Sequence, residues 1–207
     1  MNRKGILTVV SGFSGAGKGT LMKGLLSRYE DLYALSISAT TRSPRPGEQD
    51  GREYFFRTRE EFEQMIAQQE LIEYACYVNN YYGTPKAYVE EQMALGKDVI
   101  LEIEIQGARQ VKRDFPEALL LFVTPPTSGE LRKRLENRGT EDCDTIRCRL
   151  KRAAEEAEGI EEYDYLIVND VLEECVETMH QIIQNEHYRA VRNIEFMDQF
   201  RKELKEF

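Results

Sequence analysis

The residues of this chain whose types and spacing promise chemistry begin at Gly12-Phe13-Ser14-Gly15-Ala16-Gly17-Lys18-Gly19-Thr20, directly after the apolar run Ile6–Val10. Gly12 and Gly17-Lys18 stand at the separation of a phosphate-binding P-loop, in which backbone N–H groups and a helix N-terminus surround phosphate oxygens while the lysine supplies charge. Glycine is needed there because a larger residue would block the approach of backbone to anion. Leu21, Leu25 and Leu26 continue in helical spacing, so the loop has the strand-before, helix-after setting that the motif demands. After the lysine comes Gly19, where most P-loops carry the Ser or Thr that holds Mg²⁺, which leaves that duty to Thr20 or to water.

Further along, Thr40–Glu48 joins two prolines and a glycine with Arg42 and Arg45, a stiffened turn presenting guanidinium groups. Glu73 sits in the apolar stretch Leu71–Val78, and a carboxylate is rarely buried without a partner. Glu102 and Glu104 alternate with isoleucines at the end of a strand-like run, where ligands of open α/β sheets bind if that strand runs parallel to the first. Arg132, Lys133, Arg134, Arg138, Arg147, Arg149, Lys151 and Arg152 crowd around a turn at Arg138-Gly139-Thr140. Arginines from both sides of that turn can converge on one polyphosphate. At least half of them are expected instead to pair with Glu136, Glu141, Asp142 and Glu155 at helical spacing.

The elements that must position these groups alternate between strand and helix. The patterns predict strands over Ile6–Val10, Leu35–Ala39, Leu71–Val78, Val99–Ile105, Leu119–Val123 and Tyr165–Asn169. Between them lie a P-loop helix ending near Arg28 and helices near 60–69, 87–94, 107–114 and on both sides of Gly139. Asn79–Pro85 reads as a turn, and 172–207 as a long helical tail broken near Asn193, with self-association left open. The continuous apolar run Leu119–Val123 is that of a central strand covered on both faces, so the fold class is α/β, a parallel core sheet with helices on both sides. The aromatic-rich stretch Glu53–Tyr82 marks an inserted strand-rich subdomain with its own helix.

At 207 residues and 41% apolar composition the chain suits one globular unit. Its net charge of −9 argues against a general nucleic-acid surface, so anions must be met by local arginine clusters. Cys76, Cys143, Cys148 and Cys175 form no CxxC pair and read as reduced thiols; no apolar run reaches membrane-spanning length, and a cytoplasmic protein is expected.

With these residues laid out, the chain resembles the guanylate kinases, nucleoside monophosphate kinases, to about Asn185. The resemblance rests on 38–48, 51–56 (Gly-Arg-Glu-Tyr-Phe-Phe), 72–75, Tyr82-Gly83-Thr84, the Glu102 strand with Gln106-Gly107, Arg138-Gly139-Thr140 and 167–170. It implies transfer of the ATP γ-phosphoryl group to GMP, with Mg²⁺, in purine nucleotide metabolism. It further implies a core over 1–35, 96–125 and 159–190, a GMP-binding insertion over about 36–95, a lid over about 126–158 and a tail from 186. Ser38, Arg42, Arg45, Tyr54 and Tyr82 are then expected to hold the GMP phosphate, and Glu73, Thr84 and Glu102 to read guanine. Gly12 to Thr20, Arg134 and Asn169 are expected at the ATP side, and Lys18, Arg42, Arg138 and Arg149 at the transferred group. Glu104 stands where relatives usually place an aspartate near Mg²⁺, which puts an identical metal role in question. Two other readings keep the same fold: a non-catalytic interaction module, whose kind typically lacks the P-loop lysine or lid arginines that are present here, and a P-loop kinase with another acceptor.

Overall fold

The computed structural model describes residues 4–77, 79–137 and 143–207. In chain order the strands are β1 (Leu7–Gly12), β2 (Tyr33–Leu35), β3 (Ala39–Thr40), β4 (Phe55–Phe56), β5 (Leu71–Tyr77), β6 (Asn80–Pro85), β7 (Asp98–Glu102), β8 (Leu119–Thr124) and β9 (Tyr165–Val168). The helices are α1 (Lys18–Arg28), α2 (Arg59–Ala67), α3 (Lys86–Ala94), α4 (Ile105–Asp114), α5 (Ser128–Glu136), α6 (Cys143–Ala157), α7 (Leu172–Glu186) and α8 (Ile194–Glu203).

Two sheets result. The core sheet runs β2-β7-β1-β8-β9 with every pairing parallel. Its three inner strands, β7, β1 and β8, are apolar on both sides because both are covered. Ile6 and Val10 face Leu21 and Leu25 of α1 and Met179 and Ile183 of α7. Leu7 and Val9 face the other way, with Val99 and Leu101, toward Val89 of α3 and Ala108 and Val111 of α4. The second sheet, β4-β3-β6-β5, is mixed: β3 pairs parallel with β4 and antiparallel with β6, and β6 pairs antiparallel with β5. The α/β class, with a parallel core and helices on both faces, is as the pattern predicts.

Three local expectations are corrected. The strand expected over Leu35–Ala39 is two strands in different sheets: β2 leaves the core sheet after Leu35, and Ala39 and Thr40 pair with Phe55 and Phe56 instead. The alternation is real, but the chain changes partners midway. Asn79–Pro85 is mostly strand, since Tyr81, Tyr82 and Gly83 have cross-strand partners in β5, and the turn chemistry reduces to Asn79 at φ 63°. The strand expected to reach Ile105 ends at Glu102, and Ile105 already opens α4. The tail does break where expected, with α7 ending at Glu186 and a short 3₁₀ turn at Ala190–Asn193 before α8. Among the described residues no helix is long and apolar enough to cross a membrane.

Candidate active site

The P-loop residues leave β1 at Gly12 and enter α1 at Lys18. A Cβ at Gly12 would lie 2.1 Å from the carbonyl oxygen of Val123 on β8, so only glycine lets the loop lie against the neighbouring strand. Gly15 and Gly17 adopt φ of 94° and 90°, left-handed values that glycine takes without steric cost. The Lys18 ammonium folds back onto the loop, donating to the carbonyls of Gly12 (2.7 Å) and Phe13 (3.3 Å). Beside it the Asn169 side-chain amide, which is buried, donates to the Ala16 carbonyl at 2.8 Å. Arg134 braces the same corner, donating to the Asn169 carbonyl (3.0 Å) and the Ala16 carbonyl (3.4 Å) while paired with Glu130 (3.0 Å). Arg149 reaches from α6 to donate to the Ser14 hydroxyl. Thus Ser14, Ala16, Lys18, Arg134, Arg149 and Asn169 are brought together around the loop, while Gly19 and Thr20 lie exposed in the first turn of α1.

Parallel pairing aligns Val10 with Glu102, so β7 delivers its last residue beside the loop. Surrounding protein pushes the Glu102 carboxyl upward and Lys18 pulls it down, which makes the two groups electrostatic neighbours. Glu104, at the N-cap of α4, is turned to Arg152 of α6 (2.7 Å), which also holds Glu156 (3.0 Å). Burial and the nearby Glu104 charge raise the Glu156 carboxyl.

On the far side of the β7–α4 corner lies Glu73 of β5, with 6% of its surface exposed. Thr84 of β6 has none exposed and donates its hydroxyl proton to Glu73 Oε1 at 2.7 Å. A Cβ at Gly107 in α4 would stand 3.0 Å from Glu73 Oε2, so glycine there leaves room for the carboxylate. Burial raises the Glu73 carboxyl, and hydrogen bonds from Thr84 oppose the shift. The buried carboxylate therefore has one oxygen fixed by a short bond and is poised to accept from a ligand.

The second sheet carries the basic loop. Arg42 grips Glu48 through two bonds of 3.0 Å, and its guanidinium lies 5.3 Å from the Tyr54 ring centroid and 5.8 Å from that of Phe56. Tyr54 and Tyr82 meet edge-on at 6.0 Å. The Glu48 bond, with a smaller contribution from Tyr82, raises the Arg42 guanidinium, while Arg42 and then the Arg45 backbone N–H hold Glu48 low. That fork-to-fork geometry is also the one a phosphate accepts, so a phosphate can replace the Glu48 carboxylate without Arg42 changing its planar presentation. Arg45 itself is exposed, its backbone N–H bonded to Glu48 Oε2 at 2.7 Å. Ser38 accepts through its carbonyl from Phe55 N–H at the start of β3. Arg138 lies outside the described residues.

The profile of the guanylate kinase family matches residues 4–186. The chain belongs to the guanylate kinase family. A guanylate kinase of Oceanobacillus iheyensis is 51% identical over 192 residues, covering 93% of either chain, and one of Latilactobacillus sakei is 48% identical over 206 residues and the full length of both. Among solved structures, the guanylate kinase of Anaplasma phagocytophilum superposes with a TM-score of 0.71 at 33% identity, covering 91% of this chain and 89% of its own.

Sequence reasoning did not foresee the guanylate-kinase-like chain's Arg152–Glu104 contact, the Glu48 grip on Arg42, or Gly107 as the wall of the Glu73 pocket. The Gln106-Gly107 pair was visible as a motif, but its nearness to Glu73 comes only from packing of α4 on β5. Of the helical-spacing ion pairs expected in the basic cluster, Arg132–Glu136 forms, whereas Arg134 and Arg152 pair with Glu130 and Glu156 instead of the partners expected, Glu141 and Asp142 lie outside the described residues, and Arg149, like Arg134, reaches the P-loop.

Proposed function

We infer that the protein transfers the γ-phosphoryl group of ATP to GMP, giving ADP and GDP. The observation that carries this reading is the buried Glu73–Thr84 pair standing across the β7–α4 corner from a P-loop lysine. Guanine presents an exocyclic amino group and, beside it, a ring N–H, both donors to a carboxylate. Adenine lacks that array and would leave the buried carboxylate unpaired, at a cost of about 1–3 kcal/mol. Thr84, whose proton is already committed to Oε1, orients the carboxylate toward the base, and Glu102 offers a second acceptor.

Arg42, Arg45, Tyr54 and Tyr82, with Ser38, receive the GMP phosphate, which displaces Glu48 from Arg42. The segment from about 36 to 95 is thereby the acceptor side, and α5 with α6 the lid. In the reaction a GMP phosphate oxygen forms a bond to the γ-phosphorus as the bond from that phosphorus to the β,γ-bridging oxygen breaks. ADP leaves with the bond's electron pair, and no enzyme intermediate is required. Lys18 exchanges its loop carbonyls for phosphate oxygens, while Arg149, delivered to Ser14, and Arg138 spread the charge of the transferred group. Arg134 and Asn169 support the donor nucleotide's side of the loop. Thr20 brings an exposed hydroxyl two residues past Lys18, a hard oxygen donor of the kind Mg²⁺ takes beside phosphate oxygens and waters, so Thr20 would hold the ion. Bound there, Mg²⁺ would supply positive charge against the charge of the donor nucleotide's phosphates. Cys76, Cys148 and Cys175 are free thiols, in keeping with a reducing cytoplasm as the site of action.

Phosphorus NMR of enzyme with ATP, Mg²⁺ and GMP tests the reading: ADP and GDP signals should grow in equal amounts. ADP growing alone would make the protein an ATPase and overturn it.

A further inference from the structure

Helix α6 carries two arginines turned toward the site, Arg149 and Arg152, whose i,i+3 spacing makes them neighbours on one helix face. Arg149 donates to the Ser14 hydroxyl of the phosphate loop. Arg152 spans two carboxylates through different nitrogens: Nη2 donates to Glu104 Oε2 at 2.7 Å, and Nε to Glu156 Oε1 at 3.0 Å. Glu156 lies one turn further along α6, whereas Glu104 stands at the N-cap of α4, just past β7, the strand that pairs with β1. The fork therefore ties α6 to the β7–α4 corner.

Apolar contact alone does not fix how α6 sits. Ala153, which is buried, and the partly buried Ile146 and Leu150 pack against the core cluster that holds Phe13 and Ile167. Such contact is non-directional, so it keeps the helix on the core without setting its rotation or its slide. A planar guanidinium with fixed donor directions sets both. Charge works the same way. Burial and then the Glu104 charge raise the Glu156 carboxyl, and Arg152 opposes the shift. Without Arg152 the two carboxylates would face each other, and the corner and α6 would repel where they are now drawn together.

We propose that Arg152 is a positioning residue for phosphoryl transfer: gripped by Glu104 and Glu156, it fixes α6 on the β7–α4 corner so that Arg149, one turn earlier, is held at the phosphate loop. This role, which rests on the phosphoryl-transfer reading above, is exerted through Arg149 and needs no contact with either nucleotide. The side chains of Arg152 and Glu104 are 49% and 68% exposed, so the pair adds little to global stability and its effect falls on geometry.

Arg152→Ala should lower kcat about three- to fivefold, the reach of a half-exposed ion pair, with KM for GMP and the melting temperature unchanged. In an Arg149→Ala background the same change should lower kcat no further, because the group that Arg152 positions is gone. In the nucleotide-free chain, Arg152→Ala should speed amide hydrogen exchange across α6 severalfold while α7 keeps its protection. A further loss of kcat in the Arg149→Ala background means that Arg152 acts on its own and overturns the proposal, as does an unchanged kcat in the single variant. Exchange needs no nucleotide, so an unaltered chain that makes no GDP refutes the phosphoryl-transfer reading, whereas unchanged α6 exchange in the variant refutes the docking role itself.

Discussion

Replacing Glu73 by Gln is expected to move activity and stability in opposite directions. The side chain keeps its size, but one acceptor oxygen becomes an NH₂ facing a ligand edge that is itself a donor. A hydrogen bond to a charged group contributes about 1.5–3 kcal/mol. The loss of kcat/KM for GMP should therefore be roughly 10- to 140-fold, at 1.4 kcal/mol per factor of ten. KM for ATP should hardly change, because Glu73 belongs to β5 and the donor nucleotide's loop to β1. Stability follows the proton. Burial raises the Glu73 carboxyl above its ordinary value of 4.5, so the folded state holds a proton that the unfolded chain has released. As pH rises through that window the wild type loses stability, because ν_U − ν_N is negative there. Gln has nothing to ionise, so the variant should melt higher than the wild type at neutral pH, with the gap closing as pH falls below 4.5. Coupled kinetics with each nucleotide varied in turn, and melting curves from pH 4 to 8, read both halves. Equal losses for ATP and GMP would refute the base assignment. A gap that widens on acidification would refute the burial argument.

Other substitutions probe the remaining contacts. Lys18→Ala should lower turnover by roughly 10³-fold or more while calorimetry still detects GMP binding, and turnover within tenfold of wild type would remove the lysine from the phosphate site. Gly107→Ala places a methyl 3.0 Å from Glu73 Oε2; KM for GMP should rise severalfold with KM for ATP unchanged, and an unaltered KM would mean the carboxylate does not face the base there. Asp98, 1% exposed, accepts from Ile6 N–H (2.8 Å) and Gln184 (3.1 Å) and pairs with His187 (2.8 Å), tying α7 to the edge where β1 and β7 begin. Asp98→Ala should cost about 3–5 kcal/mol in urea unfolding, and a loss under 1 kcal/mol would show the network to be dispensable.

What could be read from the chain alone was what is local. The phosphate loop needs its glycines within six residues of each other, and the flanking strand and helix announce themselves by periodicity, so the centre of the site was legible. Glu73 stood out because a carboxylate in Ile-Glu-Tyr-Ala is a physical anomaly that burial must explain. The parts that were hidden depend on partners distant in sequence. Ala39–Thr40 and Phe55–Phe56 are too short to carry a pattern and exist only because they pair with each other. Asn80–Pro85 has turn residues yet is held extended by β5, so tertiary pairing overrode composition. Asp98 gives no signal in sequence, since the partners described above come from 6, 184 and 187. Likewise, nothing in the basic cluster reveals that Arg149 turns to Ser14 while Arg152 turns to Glu104.

The most direct test of a guanine-reading phosphoryl transfer site is ADP formation from ATP and Mg²⁺ with GMP, AMP, CMP or UMP as acceptor, beside a control without acceptor. ADP should appear with GMP at a rate at least a hundredfold above the other three and the control, in line with the ~10²-fold or greater rejection that a site built to hydrogen-bond one base achieves. Comparable rates with AMP, CMP or UMP, or none with any acceptor, would contradict it.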